Sequence, residues 1–225
     1  MESQKPKIAM YVKRPFGEKL NASFDFLKEN WKLLLKFITY LLLPLCLIQA
    51  LSLNGLMSGA LSISAIASST AMAASSSSLI AFGSYYGLYM FLYLIGIILL
   101  TSLVYGLIRT YNEREERLQG VTLGMLKPRL FRNIKRLLLM TGACILLVLF
   151  VGIFVGLLVA LTPFTLFLTI PFIIAFSVPL ALLAPIYLFE DITLMEAFKK
   201  TFRLGFATWG GVFLVSLLMG IIANV

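Results

Sequence analysis

Ionised side chains constrain this sequence most, because of where they are missing. All nineteen Lys and Arg lie in three blocks. The first holds Lys5, Lys7, Lys13, Arg14, Lys19, Lys28, Lys32 and Lys36. The second holds Arg109, Arg114, Arg117, Lys127, Arg129, Arg132, Lys135 and Arg136. The third holds Lys199, Lys200 and Arg203. The ten acids lie in the same blocks, and the runs 37–108, 137–189 and 204–225 carry no formal charge. One charge at the centre of a spanning helix costs about 2.5–3.5 kcal/mol, so lipid requires such runs and water does not.

Composition agrees. The chain is 60% hydrophobic and 13% charged, with a mean hydropathy of +0.96. A typical soluble domain is about 45–50% apolar and about 25% charged. Too few charges remain to wet a globule of 225 residues, which excludes a soluble enzyme, a disordered chain and a secreted disulfide scaffold. There is no His and there are two Cys. That removes haem held by His, most metal sites and every Ser–His or Cys–His catalytic device. No cofactor and no metal is expected.

A spanning helix needs about 20 apolar residues. The uncharged runs divide into spans at 33–53, 79–108, 137–161, 164–189 and a short fifth at 207–223. The fold class expected is an all-α, polytopic transmembrane helical bundle, one membrane domain over 1–225. Five spans with three charged blocks thread one way. The N-terminal segment 1–32 and the two later charged blocks share one side, cytoplasmic by the positive-inside rule. The hydrophilic start followed by a long apolar run is not a secretory signal, so the first span is expected to stay in the mature protein. A net charge of +9 would suit nucleic acid, but its confinement beside the spans points to the membrane surface, and no nucleic-acid partner is expected.

Amphipathic helices are expected on the cytoplasmic side, ahead of spans. Phe16, Leu20, Phe24, Leu27 and Trp31 form one stripe, and Leu123, Leu126, Leu130, Ile134 and Leu137 a second. Pro128 fits the second only near a helix start. The third opens on Thr193 and Glu196, a T-x-x-E capping box, with Leu194, Phe198 and Phe202 as its apolar stripe. Glu18, Leu20, Ser23, Phe24 and Trp31 match Glu196, Phe198, Thr201, Phe202 and Trp209 at a constant offset. This reads as an internal repeat of interfacial helix, span, span. On that repeat a sixth span is expected, and the sequence stops after the fifth. The segment 58–78, rich in Ser and Ala, reads as an external loop or as an extension of the flanking helices.

Several features carry chemistry, each with a plainer reading beside it. Lys127, Arg129, Arg132, Lys135 and Arg136 precede a span and suit anionic lipid head groups at about 1 kcal/mol per charge; orientation of the chain alone explains them too. Pro171, Pro179 and Pro185 in the fourth span free backbone carbonyls that suit a gate, or are simple kinks. Tyr85, Tyr86, Tyr89 and Tyr93 read as an aromatic belt or a stacking surface. Gly152 and Gly156 offer a permissive contact face. The polar residues inside spans, among them Thr101, Ser102, Thr169 and Ser177, bond back to their own helices. Cys46 and Cys144 lie at different depths and read as packing residues.

Pro185, Glu190-Asp191, Thr193, Glu196-Ala197, Thr201 and Phe202-Arg203-Leu204 together resemble the late cytoplasmic loop of the glycerophosphoryl diester phosphodiesterase membrane-domain family. Phe24, Phe26, Asn30 and Trp31 fit the same group. The resemblance implies a six-span bundle in the bacterial inner membrane. The phosphodiesterase chemistry of that family sits in a separate soluble barrel with catalytic His and acids. This sequence has neither, so the activity is not inherited. Some similar proteins carry a carotene monooxygenase label, whose iron needs histidines that this sequence lacks.

Two functions fit. One is a non-enzymatic scaffold or accessory protein that binds membrane lipids, anionic ones above all, or another membrane protein or a copy of itself. The other is a lipid or amphiphile transporter whose proline-rich fourth span moves. A membrane enzyme would need Glu190 and Asp191 as a metal or acid/base pair, and adjacent helical residues point apart.

Overall fold

The computed structural model describes residues 7–9, 12–68, 76–162 and 164–224. Among these the chain is all-α, with no strand. The helices are α1 (Phe16–Ser68), α2 (Ser76–Glu113), α3 (Leu123–Leu161), α4 (Thr165–Ala181), α5 (Leu183–Phe189), α6 (Leu194–Ala207) and α7 (Trp209–Asn224). Four stretches are long and apolar enough to cross a membrane: α1, α2, α3, and α4 with α5. A fifth is formed if α6 and α7, bent by 89° at their junction, count as one. The chain is a multi-pass membrane protein built as a helical bundle.

Two of the three predicted interfacial helices are not separate elements. The stripe from Phe16 to Trp31 and the span at 33–53 form one unbroken helix, α1. The stripe from Leu123 likewise continues into the span at 137–161 as α3. Neither segment has a reason to bend between stripe and span: Trp31-Lys32-Leu33 and Arg136-Leu137-Leu138 contain no Gly and no Pro. The third does. Gly205, Gly210 and Gly211 flank the break at Thr208, and each Gly costs a helix about 1 kcal/mol relative to Ala. The matching positions of the first copy are Leu27, Lys32 and Leu33, so the repeat bends only where glycine weakens it. Helix continues through Pro44, Pro128 and Pro171, as spanning helices allow; α3 starts five residues before Pro128.

Of the two readings of the Ser/Ala-rich segment 58–78, extension of the flanking helices holds over its described part rather than an external loop. Helix α1 runs on to Ser68 and α2 begins at Ser76, so most of the segment extends its neighbours. Small residues without proline give the helix no reason to stop. Positions 69–75 lie outside the described residues. From 37 to 68, α1 is about 48 Å long at 1.5 Å per residue, against about 30 Å of hydrocarbon; it tilts or extends into water. The short fifth span expected at 207–223 falls on α7, whose 16 residues reach only about 24 Å and count as a candidate span only together with α6.

The chain divides into two compact units, 1–9 with 21–130 and 10–20 with 131–225. In the first, α1 and α2 run antiparallel. Phe26 meets Tyr111 edge-on at 5.2 Å, Gly96 lies against Leu45, Gly55 seats the Tyr85 ring and Gly59 faces Phe82. Its core includes Phe26, Leu34, Phe37, Leu103, Leu107, Tyr111, Leu118 and Leu126 beside the charged blocks, and Leu92 and Ile98 further along α2. In the second, Leu183, Tyr187 and Ala197 form the centre, with Met140, Ile186, Ile192 and Phe198 against them. The most apolar stretch of α3 has no buried residue, and Gly152 and Gly156 have nothing packed on them. Burial is therefore uneven along the spans: Leu92 and Ile98 are buried midway along α2, whose most apolar stretch is 33% buried, whereas that of α3 is bare, as lipid permits because apolar surface gains little from burial there.

Helix α6 starts as the capping box predicts. The Thr193 hydroxyl accepts from the Glu196 N–H, and the Glu196 carboxylate accepts from the Thr193 N–H at 3.0 Å and its hydroxyl at 2.9 Å. The backbone N–H, then the hydroxyl, of Thr193 hold the Glu196 carboxyl below its ordinary range. That contribution is present above the ordinary glutamate range and is lost as pH falls through the lowered value. Thr193→Ala is expected to speed exchange of the amides of 194–197 about fivefold at neutral pH. Measured by hydrogen exchange in detergent, the gap to wild type should narrow on acidification without vanishing, because the wild-type hydroxyl still accepts from the Glu196 N–H.

Candidate functional site

The basic block predicted to hold lipid is divided by its own chemistry. At about 100° per residue, Arg129, Arg132 and Arg136 fall within about 60° on α3. Lys135 lies a further 60° or so round, and Lys127 is on the opposite side. All three arginines are engaged by protein. Arg129 bonds the Glu113 carboxylate and donates to the Thr110 hydroxyl at 3.0 Å, and Arg109 holds the other Glu113 oxygen at 3.0 Å. Arg132 and Arg136 both pair with Asp191, at 3.4 and 3.2 Å. Lys127 and Lys135 are exposed, with no partner among the described residues.

Arg136 is a clamp. Its Nη2 donates to the Tyr187 carbonyl at 2.6 Å and to the Ile192 carbonyl at 2.8 Å. Its guanidinium lies 4.2 Å from the Tyr187 ring centre. Helix α5 ends at Phe189, and Asp191 takes a left-handed conformation, φ 52°, so the Tyr187 carbonyl has no helical donor. A planar, forked cation meets that carbonyl, the turn and the carboxylate together, which the point charge of lysine does not. Left-handed backbone is costly for most residues and least so for Asn and Asp. Glu190 faces elsewhere and holds Lys200 at 2.6 Å. The adjacent acids therefore serve different cations, Asp191 two arginines and Glu190 one lysine, and no group of three metal-ligating side chains occurs among the described residues.

A second network joins the first charged block to the second. Tyr111, fully buried, donates to Glu29 Oε2 at 3.2 Å and accepts from the Ile8 N–H at 3.2 Å. Arg117 pairs with Glu29 Oε1 at 2.6 Å. Lys7 donates to the carbonyls of Asn112 and Arg114 at 2.8 and 3.1 Å, neutralising carbonyls at the end of α2. Sequence reasoning missed Tyr111. Its signal was an aromatic side chain in the first turn beyond a span, with Arg109, Glu113 and Arg114 around it.

The prolines are not alike. Pro171 is exposed. Pro185 sits in the first turn of α5, where a missing N–H costs nothing, just after the break at Leu182. Pro179 is a junction rather than a gate. Its ring and Cα lie where a Cβ on Gly205 would be, 2.5 Å from Cα. Its missing N–H frees the Ala175 carbonyl, and the Trp209 indole donates to that oxygen at 3.1 Å. Phe176 is edge-on to Phe202 and Phe206 at 5.8 and 5.6 Å. Thr169 and Ser177 bond back to Thr165 and Ile174, whereas Ser102 reaches across to the Leu130 carbonyl at 3.0 Å. Tyr85 and Tyr86 pack on Gly55 and Phe82, and Cys46 and Cys144 are free thiols.

Comparison with known protein families, with curated proteins and with solved structures finds no match to this chain.

Arg136→Gln is expected to cost about 2–3 kcal/mol, the value of hydrogen bonds from a charged group. Arg136→Lys should recover less than half of that in thermal unfolding in detergent. Asp191→Ala should cost more than Asp191→Asn, because Asn keeps the left-handed preference while losing the charge. Trp209→Phe strands a carbonyl and should cost about 1–3 kcal/mol. In a Pro179→Ala background the restored N–H satisfies Ala175 itself. The Trp209→Phe penalty should then fall by about 1 kcal/mol or more, and an equal penalty in both backgrounds would disprove the link.

Proposed function

We propose that this chain is a non-enzymatic scaffold or accessory protein of the bacterial inner membrane. Its N-terminus and all three charged blocks face the cytoplasm, and its basic rim holds anionic lipid and a membrane partner. The observation that carries this reading is how the charged blocks meet. In one unit the first block bonds the start of the second, through Lys7, Glu29 and Arg117. In the other unit the end of the second pairs with acids beside the third, through Arg136, Asp191, Glu190 and Lys200. Charges that pair with one another share one aqueous side, and positive charge in short loops favours the cytoplasm.

Lipid binding then falls to the lysines that protein leaves free, Lys127 and Lys135, rather than to Arg129, Arg132 and Arg136. The non-enzymatic reading draws support from Glu190 and Asp191, which are committed to separate ion pairs, Lys200 for one and Arg132 with Arg136 for the other. The likeness of the 185–204 segment to the glycerophosphoryl diester phosphodiesterase membrane-domain family belongs to the same proposal. The transporter reading is not pursued, because Pro179, the centre of its moving span, is packed on Gly205 and tied through Ala175 to Trp209.

Purification with native lipid and lipid mass spectrometry tests the binding. Anionic lipid is expected to be enriched over the bulk membrane. Lys127→Gln with Lys135→Gln should reduce that enrichment by roughly fivefold per lysine, and Arg132→Gln should reduce stability instead. Equal lipid composition in protein and bulk would reject the binding. Orientation is read with Lys127→Cys and Lys199→Cys in a chain free of Cys46 and Cys144. Both should react only from the cytoplasmic face, and labelling from opposite faces would reject the topology.

A further inference from the structure

The network around Tyr111 has a second consequence. An open pocket of about 360 Å³ lies between α1 and the turn that follows α2, within the size range of small-ligand sites, about 300–1,000 Å³. Its walls include Lys28, Trp31 and Lys32 from α1, and Arg117 and Gln119 from the turn. Glu29 also lines it, but both its oxygens are taken, one by Arg117 at 2.6 Å and one by the Tyr111 hydroxyl at 3.2 Å. The one acid in the wall is therefore neutralised in place.

Lys28 and Lys32 are different. They stand one helical turn apart, both are exposed, and neither has a partner among the described residues. Like charges at this spacing repel across a helix face, and a single anion between them removes the repulsion. The pocket thus presents two uncompensated cations beside a neutral Arg–Glu pair. Trp31, 55% exposed, precedes the apolar run that begins at Leu33, the position where an indole sits at head-group depth. Leu33 and Leu118 supply apolar wall on the same pocket.

We infer that this pocket binds one anionic phospholipid per chain, with the phosphate between the ammonium groups of Lys28 and Lys32 and the indole of Trp31 beside the glycerol. It is a discrete site on α1, separate from Lys127 and Lys135 on α3, and it stands whether or not those residues recruit lipid. A zwitterionic head group carries its own cation and gains less from two lysines.

The full chain, in detergent with added phosphatidylglycerol or phosphatidylcholine, is examined by native mass spectrometry. One retained phosphatidylglycerol per chain is expected, and phosphatidylcholine is not retained. Lys28→Gln with Lys32→Gln should weaken retention about thirtyfold, roughly fivefold for each charge, without lowering the unfolding temperature. Lys127→Gln with Lys135→Gln should leave that one lipid in place. Retention unchanged by the Lys28/Lys32 pair, or equal retention of phosphatidylcholine, overturns the site. Loss of the retained lipid only in the Lys127/Lys135 pair also overturns it, and leaves the rim on α3 as the binding surface. Displacement of the lipid by millimolar inorganic phosphate would overturn a lipid as the occupant and assign the pocket to a soluble phosphate.

Discussion

Hydrocarbon rejects two things, a free ion and a backbone group without a partner, and both rejections shape this protein. The first drives every Lys, Arg, Asp and Glu into three blocks and makes those blocks the sites of specific bonding. The second acts inside α4. Pro179 removes one helical donor, and the carbonyl it strands at Ala175 is met by the indole of Trp209. An unmet carbonyl costs little beside water and several kcal/mol in lipid, so a proline in a span calls for a donor from elsewhere. The same proline packs on Gly205, and one residue thereby joins α4 to α6 and α7.

Arginine and lysine divide the work along α3, although elsewhere Lys7 and Lys200 also bond protein groups. Arg129, Arg132 and Arg136 lie on one side of α3 and bond carboxylates, a hydroxyl and backbone carbonyls. Their planar forks bond several acceptors in fixed geometry, which suits holding a turn such as 190–192. Lys127 and Lys135 lie off that arc, and Lys28 and Lys32 line a pocket. A compact, mobile ammonium suits a head group whose position varies. The five basic residues in the first turns of α3, ahead of its apolar stretch, look equivalent as a string of charges, and become distinct only when the acceptors at Glu113, Asp191 and Tyr187 are in place.

Legibility follows how local each cause is. The capping box at Thr193 and Glu196 involves residues three apart, and it forms as read. The bend after α6 also has a local cause, glycine at 205, 210 and 211, although the repeat with the first segment argued for one shape in both copies. The segment 58–78 left loop and helix extension both open because Ser and Ala are soft signals that the two share, and the structure extends the helices to Ser68 and from Ser76. The role of Tyr111 was hidden because its partners, Ile8 and Glu29, are far from it in sequence.

The all-α, multi-pass character follows from the sequence by itself, because the cost of an ion in lipid depends on residue type and run length and not on neighbours in space; the count of four or five spans turns on the 89° bend between α6 and α7. Which arginine clamps which carbonyl, which proline is a joint, and which lysines remain free were decided by the tertiary structure alone. Those outcomes rest on hydrogen bonds a few ångströms long between residues as many as 107 positions apart, and no spacing along the chain encodes them.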